Sequence, residues 1–156
     1  MTDAHRELPD AEATLEWGRH LGGCLHQGDL VILTGDLGAG KTTLTRGIGE
    51  ALEIRGSVSS PTFVLAREHP AIAEGAPGLL HVDAYRLASP ADIDDLDLPI
   101  EDCVTVVEWG EGRVEYLCDS RLHITLEPLG DARVAHLRGV GPRWTAAAVA
   151  ELVADA

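Results

Sequence analysis

The 156 residues carry 12 Lys+Arg against 26 Asp+Glu, a formal charge of −14, and 45% of them are hydrophobic. The sequence has no Lys/Arg run, which argues against direct docking on RNA or DNA, because such docking neutralises phosphates with clustered basic side chains. No apolar run approaches the roughly 18 residues of a membrane helix, and no secretion signal is visible. Three widely separated cysteines predict reduced thiols, so we expect one cytoplasmic domain over residues 1–156, with no membrane partner.

The first third of the chain predicts a helix, a strand and a second helix. Pro9-Asp10 is typical of a helix start, and apolar residues then recur at helical spacing as far as Leu25. The run DLVILTG (29–35) predicts a buried parallel strand, because it is short, apolar and rich in β-branched residues. A glycine-rich loop follows, and it opens a helix whose apolar face begins at Leu44.

The rest of the chain predicts more strands and a closing helix. Three apolar runs predict strands: TFVLARE (62–68), LLHVD (79–83) and CVTVVEW (103–109). RLHITLE (121–127) and RVAHLRG (133–139), joined by PLGD, predict a hairpin, and a last helix is expected from about Trp144. This order predicts an α/β fold, a single P-loop NTPase domain with a largely parallel sheet flanked by helices and a late antiparallel hairpin.

The stretch GDLGAGKTT (35–43) fits the phosphate-binding pattern G-x-x-x-x-G-K-[ST]. Its glycines permit left-handed turns and close approach to phosphate oxygens, and the N-terminus of the following helix favours an anion. Lys41 is expected to reach the β- and γ-phosphates, and the Thr42 hydroxyl to ligate Mg²⁺. The predicted nucleotide-binding residues here are Gly35, Asp36, Leu37, Gly38, Ala39, Gly40, Lys41, Thr42 and Thr43.

Two carboxylates follow apolar strand residues, as the chemistry of a P-loop NTPase requires. Asp83 ends LLHVD, and Glu108 ends VTVVE. We predict that both act with Lys41 in catalysis and that both lie with Thr42 around Mg²⁺. We favour Asp83 in the magnesium shell and Glu108 near the attacking water, although the spacing does not fix that order.

The nucleotide is predicted to be ATP. The sequence contains no asparagine, which excludes the usual N-K-x-D loop that reads guanine. Within SSPTF (59–63), Thr62 lies where switch-type NTPases place a hydroxyl that senses the γ-phosphate and Mg²⁺. A simple turn before a strand is the alternative interpretation of this segment. His81 is expected only to alternate with Val82 along its strand.

Four motifs together resemble the TsaE family, formerly YjeE, of small bacterial ATPases: GDLGAGKTT, SSPTF, HVDAYRL and VEWGE. The resemblance covers roughly residues 10–140. It implies ATP hydrolysis in the synthesis of N6-threonylcarbamoyladenosine on tRNA, together with TsaB-like and TsaD-like proteins. In that setting the partners hold the tRNA, so this acidic chain would contact tRNA only indirectly.

The resemblance also assigns residues. It places Trp109 near the nucleotide, and Tyr85 and Arg86 in the HxDxYR block beside Asp83. Packing in the core remains an alternative for both aromatic residues. Gly110 stands where the family usually has proline.

Two other functions remain open, a small-molecule kinase and a nucleotide-dependent binding module without turnover. The acidic stretch 89–102 is expected to be a solvated, capped helix, with partner docking as its alternative.

Overall fold

The computed structural model describes residues 1–36, 38–58, 66–84 and 97–154. Strands and helices alternate over most of this length. They are β1 (Thr2–Leu8), α1 (Ala11–Cys24), β2 (Leu30–Thr34), α2 (Lys41–Ala51), β3 (Ala66–His69), β4 (Gly78–Asp83), β5 (Cys103–Glu108), β6 (Arg121–Leu129), β7 (Ala132–Val140) and α3 (Ala146–Val153). A short 3-10 turn at Ile100–Asp102 comes directly before β5, and another at Glu115–Leu117 lies between β5 and β6.

The described strands form one sheet in the order β1-β7-β6-β2-β5-β4-β3. The four central strands β6, β2, β5 and β4 are parallel, and the pairs at both edges are antiparallel. The α/β prediction, with its parallel centre and late antiparallel hairpin, is therefore confirmed. The carboxyl ends of β2, β4 and β5 lie side by side at one edge, which is where parallel α/β sheets carry their binding sites.

The central strands are covered on both faces, which explains their nearly uninterrupted apolar sequences. One face packs under α1, α2 and α3, with Trp17 and Leu21 of α1 almost fully buried. The other face packs against Leu98, Ile100 and neighbouring residues of the turns around β5. Burial on both sides fixes the position of β2, and hence of the loop that follows it.

Helices α1 and α2 touch through glycines. A Cβ atom at Gly18 would lie 3.0 Å from the Cα of Gly47, and one at Gly47 would lie 2.9 Å from the backbone nitrogen of Arg19. Contacts below about 3.0 Å leave no room for a methyl group. The two helices therefore approach backbone to backbone, and α1 fixes the position of α2, which begins at Lys41.

Most predicted boundaries agree with the structure. The first helix begins at Ala11 after Asp10, whose Oδ1 accepts a hydrogen bond from the Ala13 amide at 2.8 Å. The predicted hairpin is present, but β6 continues through Pro128 and Leu129, so the turn is shorter than expected.

Other expectations need correction. The last helix starts at Ala146 rather than Trp144, because the Thr145 side chain caps it by accepting from the Ala148 amide. Strand β1 was not predicted from the sequence. Residues 62–65 of the predicted strand 62–68 and 89–96 of the predicted acidic helix lie outside the described residues. The described remainder of that predicted helix, 97–102, is not an α-helix but a turn that ends in the 3-10 segment Ile100–Asp102. Among the helices described, none has both the length and the hydropathy needed to cross a membrane.

Candidate functional site

The glycine-rich loop joins the carboxyl end of β2 to the first residue of α2, as the sequence predicted. Gly38 and Gly40 adopt left-handed conformations, with φ of 81° and 102°. At Gly35 a Cβ atom would lie 3.0 Å from the Leu126 carbonyl oxygen, so this position requires a close backbone approach to β6. Leu37 lies outside the described residues.

The loop leaves backbone donors at the start of α2 without a side-chain cap. Gly40 occupies the N-cap position and makes no capping hydrogen bond, so the first amides of the helix are available to an anion. Thr42 and Thr43 lie in this first turn and are partly exposed, whereas Ala39 is buried. A helix N-terminus of this kind carries about half a positive charge, which suits a phosphate group.

Lys41 is almost completely buried, at 6% exposure, and its ammonium group lies at the centre of the site. The Nζ atom donates to the Gly35 carbonyl oxygen at 2.5 Å and lies 3.8 Å from the centre of the Trp109 ring. It is also 3.9 Å from Glu108 Oε1. Burial lowers the pKa of Lys41, and the nearby carboxylates of Glu108 and Asp83 oppose that shift.

Asp83 and Glu108 end neighbouring parallel strands at the same level. They are direct register partners, and Glu108 is paired in turn with Leu33 of the strand that leads into the loop. Register partners project to the same face of a sheet, so both carboxylates face the helix layer that holds Lys41. Glu108 is 6% exposed, and Asp83 is half-buried. The structure therefore brings the three predicted catalytic side chains together.

His81 also belongs to this cluster, which was not expected from its position in the sequence. Its Nε2 atom lies 2.6 Å from Glu108 Oε2, and its side chain is fully buried. Since Asp83 is two residues further along the same strand, His81 points to the same face of the sheet. In the sequence, the two-residue spacing between His81 and Asp83 already placed both side chains on the same face of the strand.

Trp109 follows Glu108 in a left-handed conformation, with φ of 61°, and this turns its ring towards Lys41. Its backbone nitrogen donates to the Leu33 carbonyl oxygen at 3.3 Å. The next residue, Gly110, has no room for a side chain, because a Cβ atom would lie 2.7 Å from Val114 and 2.8 Å from Val107. The glycine at this position therefore matches the local packing of this chain.

Arg133, at the start of β7, also reaches the loop. Its guanidinium donates to the Gly38 carbonyl oxygen at 3.2 Å and to the Ala132 carbonyl oxygen at 3.0 Å. No local motif marks this residue, because the contact depends on the pairing of distant strands. The hairpin therefore supports the loop on the side opposite the two carboxylates.

The remaining predicted residues fall into two groups. Asp36 is exposed at the start of the loop. Thr62, Tyr85 and Arg86 lie outside the described residues, so their predicted roles stay predictions. Within the described ranges, no three His, Cys, Asp or Glu side chains cluster as a metal site. The nearby oxygen donors, Thr42, Asp83 and Glu108, nevertheless suit Mg²⁺, which keeps several waters and takes further oxygens from substrate phosphates.

Together these features define an α/β protein in which a strand, a glycine-rich loop and a helix meet acidic strand ends. Comparison with known proteins makes the assignment specific. Residues 8–135 match the family model described as "Threonylcarbamoyl adenosine biosynthesis protein TsaE". The chain belongs to the TsaE family of tRNA threonylcarbamoyladenosine biosynthesis proteins.

Individual relatives agree with this assignment. A protein from Streptomyces coelicolor, named tRNA threonylcarbamoyladenosine biosynthesis protein TsaE, is 53% identical over 145 residues, covering 88% of this chain and 97% of the relative. The protein of the same name from Mycobacterium tuberculosis is 47% identical, covering 82% of each chain. The crystal structure of YdiB from Bacillus subtilis superposes with a TM-score of 0.75 at 29% identity, covering 97% of this chain and 94% of that one.

Proposed function

We propose that this protein binds ATP with Mg²⁺ and hydrolyses it in the cytoplasm during the formation of tRNA N6-threonylcarbamoyladenosine. Hydrolysis would drive or reset a threonylcarbamoyl-transfer complex made of TsaB-like and TsaD-like partners. Membership of the TsaE family supports the pathway. The chemistry of the site supports the reaction.

One observation carries the proposal. The buried Lys41 ammonium and the buried Glu108 carboxylate face each other at 3.9 Å beside the glycine-rich loop. Burying a cation and an anion is costly unless each is well paired. Lys41 donates to a neutral carbonyl, that of Gly35, and Glu108 is bound by His81 through Oε2, while the 3.9 Å between Lys41 Nζ and Glu108 Oε1 is beyond hydrogen-bonding distance. A bound phosphate chain would give Lys41 anionic partners, and a water molecule would give Glu108 Oε1 a hydrogen-bond partner.

Each residue then has a task in phosphoryl transfer to water. The loop amides and Lys41 would hold the phosphates, and the Thr42 hydroxyl with Asp83 would hold Mg²⁺. Glu108 would orient the attacking water, and its carboxylate would also serve as an oxygen ligand in the magnesium shell. The ion, when bound, neutralises charge that develops on the phosphate oxygens. Trp109 covers Lys41 and excludes solvent from it.

The acidity of the chain bears on the partners. A formal charge of −14 opposes direct contact with the tRNA backbone. We therefore place the tRNA on the partner proteins and expect slow hydrolysis by this chain alone, with stimulation by the complex.

The direct test is phosphate release from Mg-ATP and Mg-GTP, by the protein alone and with its TsaB-like and TsaD-like partners. Thr42→Ala should lower release from Mg-ATP at least about 100-fold, because it removes one of the proposed magnesium ligands. Arg46→Ala, on the exposed face of the same helix, is the matched control and should leave release unchanged.

The alternatives give different results. A small-molecule kinase would transfer the phosphate to a metabolite and release little of it. A binding module without turnover would bind its partners in an ATP-dependent manner, survive Glu108→Gln and release no phosphate. Either outcome would refute the hydrolase proposal.

A further inference from the structure

We propose that His81 is a positioning residue for Glu108, an inference that rests on the hydrolase function proposed above. The His81 imidazole holds one oxygen of the Glu108 carboxylate and so directs the other towards the phosphate loop. The bond between His81 Nε2 and Glu108 Oε2 is 2.6 Å long, and the two side chains are 0% and 7% exposed. A bond this short, to a carboxylate out of contact with bulk water, is of the strong charge-assisted type.

The two carboxylate oxygens of Glu108 have different surroundings. Oε2 accepts from His81, while Oε1 faces Lys41 Nζ at 3.9 Å. An ionised carboxylate only accepts, so His81 donates from Nε2. With Oε2 fixed, rotation of the carboxylate about its last torsion is blocked, and Oε1 remains directed at the space beside the loop.

Lys41 alone does not explain this orientation. At 3.9 Å its attraction to Glu108 is Coulombic and only weakly directional, since hydrogen bonds to nitrogen donors lie near 2.9 Å. Lys41 donates instead to the Gly35 carbonyl oxygen. The directional restraint on Glu108 among the described residues is therefore the bond from His81.

Packing alone does not explain a histidine at this position either. His81 Nδ1 is buried and has no hydrogen-bond partner among the described residues. An unpaired buried nitrogen is unfavourable, and an apolar side chain such as leucine would fill the same space without that cost. The histidine is accounted for by the bond that it makes to Glu108.

The position of His81 in the fold keeps it away from the reacting atoms. It pairs in register with Val106 on β5 and precedes Asp83 by two residues on β4. It therefore lies one step back from the carboxyl ends of the strands, behind Glu108. This placement fits a group that acts through Glu108 rather than one that touches the nucleotide.

The first experiment compares kcat and KM for Mg-ATP in the presence of the partner proteins. His81→Leu should lower kcat about 10- to 100-fold and leave KM within about twofold, because the phosphates are held elsewhere. His81→Gln should recover most of the loss, since its amide nitrogen can donate from nearly the same place. His69→Leu removes another buried histidine, from the neighbouring strand β3, and should keep the wild-type kcat.

A double-mutant cycle with Glu108→Ala tests whether His81 acts through Glu108. In that background His81→Leu should lower phosphate release no further. Equal fold-losses in both backgrounds, or a His81→Gln variant as slow as His81→Leu, would overturn the positioning role.

Thermal unfolding of the same four proteins measures the coupling between His81 and Glu108 without depending on hydrolysis. His81→Leu should lower Tm by about 5 °C in the wild-type background, because it leaves the buried Glu108 carboxylate without its hydrogen-bond donor. In the Glu108→Ala background it should leave Tm unchanged or raise it, because there the imidazole has already lost its partner. If the wild-type protein releases no phosphate under any condition, the proposed function fails, and this thermal cycle alone decides whether His81 holds Glu108. Equal Tm losses in both backgrounds would reject the coupling.

Discussion

Replacing Gly18 by alanine would push a methyl group into the backbone of α2. The added Cβ would overlap the Leu44 carbonyl oxygen and lie 3.0 Å from Gly47 Cα and 3.3 Å from Ile48 N. All three are backbone atoms, so no side chain can rotate away to make room. The two helices must separate, and α2 would carry Lys41 and the glycine-rich loop with it.

The expected size follows from two opposing effects. Overpacking of a close contact costs about 1–3 kcal/mol, and alanine regains about 1 kcal/mol over glycine through its helix propensity. Because the contact is with rigid backbone, we expect a net loss of about 1–2 kcal/mol. For a chain of this size that corresponds to a fall in Tm of about 2–8 °C. Affinity for Mg-ATP should fall as well, because the loop moves.

Gly23→Ala is the matched control in the same helix, since no heavy atom lies within 4 Å of a Cβ at that position. It should raise stability by about 0.5–1 kcal/mol through propensity alone. Both variants are measured by thermal unfolding followed by circular dichroism, without nucleotide and then with Mg-ATP. Equal stability of Gly18→Ala and Gly23→Ala would refute the close backbone contact between α1 and α2.

Two further predictions concern buried polar groups. Arg143→Met removes two hydrogen bonds to the Asp29 carboxylate, a side chain that is only 7% exposed. The substitution should lower the free energy of unfolding by about 2 kcal/mol, measured by thermal unfolding. Arg138→Ala breaks the exposed pair with Asp3 and should cost no more than about 0.5 kcal/mol, and equal losses would contradict the role of burial. Burial lowers the pKa of His69 below its ordinary value of 6.5, so the unfolded chain takes up a proton first as the pH falls below 6.5. Stability should therefore drop between pH 6.5 and the lowered pKa, and His69→Leu should show a smaller drop in Tm over that range.

The parts of the fold that could be predicted from the sequence are those encoded locally. The run Leu30–Thr34 is apolar enough for a buried strand, and the glycines after it mark the loop before α2 within a few residues. Asp83 and Glu108 each end an apolar run, so their position at strand ends was also visible. Their alignment beside the same loop follows from the parallel order of the central strands.

The rest depends on contacts between distant parts of the chain. Strand β1 has a sequence of mixed charge and becomes a strand because it pairs with β7, more than a hundred residues away. The bond between His81 and Glu108 joins two strands whose register no local pattern reveals. The Arg133 guanidinium reaches the Gly38 carbonyl oxygen only because the hairpin β6–β7 lies next to β2, the strand that leads into the glycine-rich loop.

The position of β2 in the middle of the sheet also affects how the protein is made. Its parallel partners come much later in the chain, since Leu30 pairs with Thr105 and Val31 with Leu122. At about 5–20 residues per second on the ribosome, the strand that leads into the loop waits roughly 5–20 s for the second of these partners. Under the proposed function, ATP would stabilise the nascent chain only after that interval. Until then the apolar run 30–33 lacks its partners in the sheet, and we expect it to be a segment on which chaperone binding or aggregation during synthesis begins.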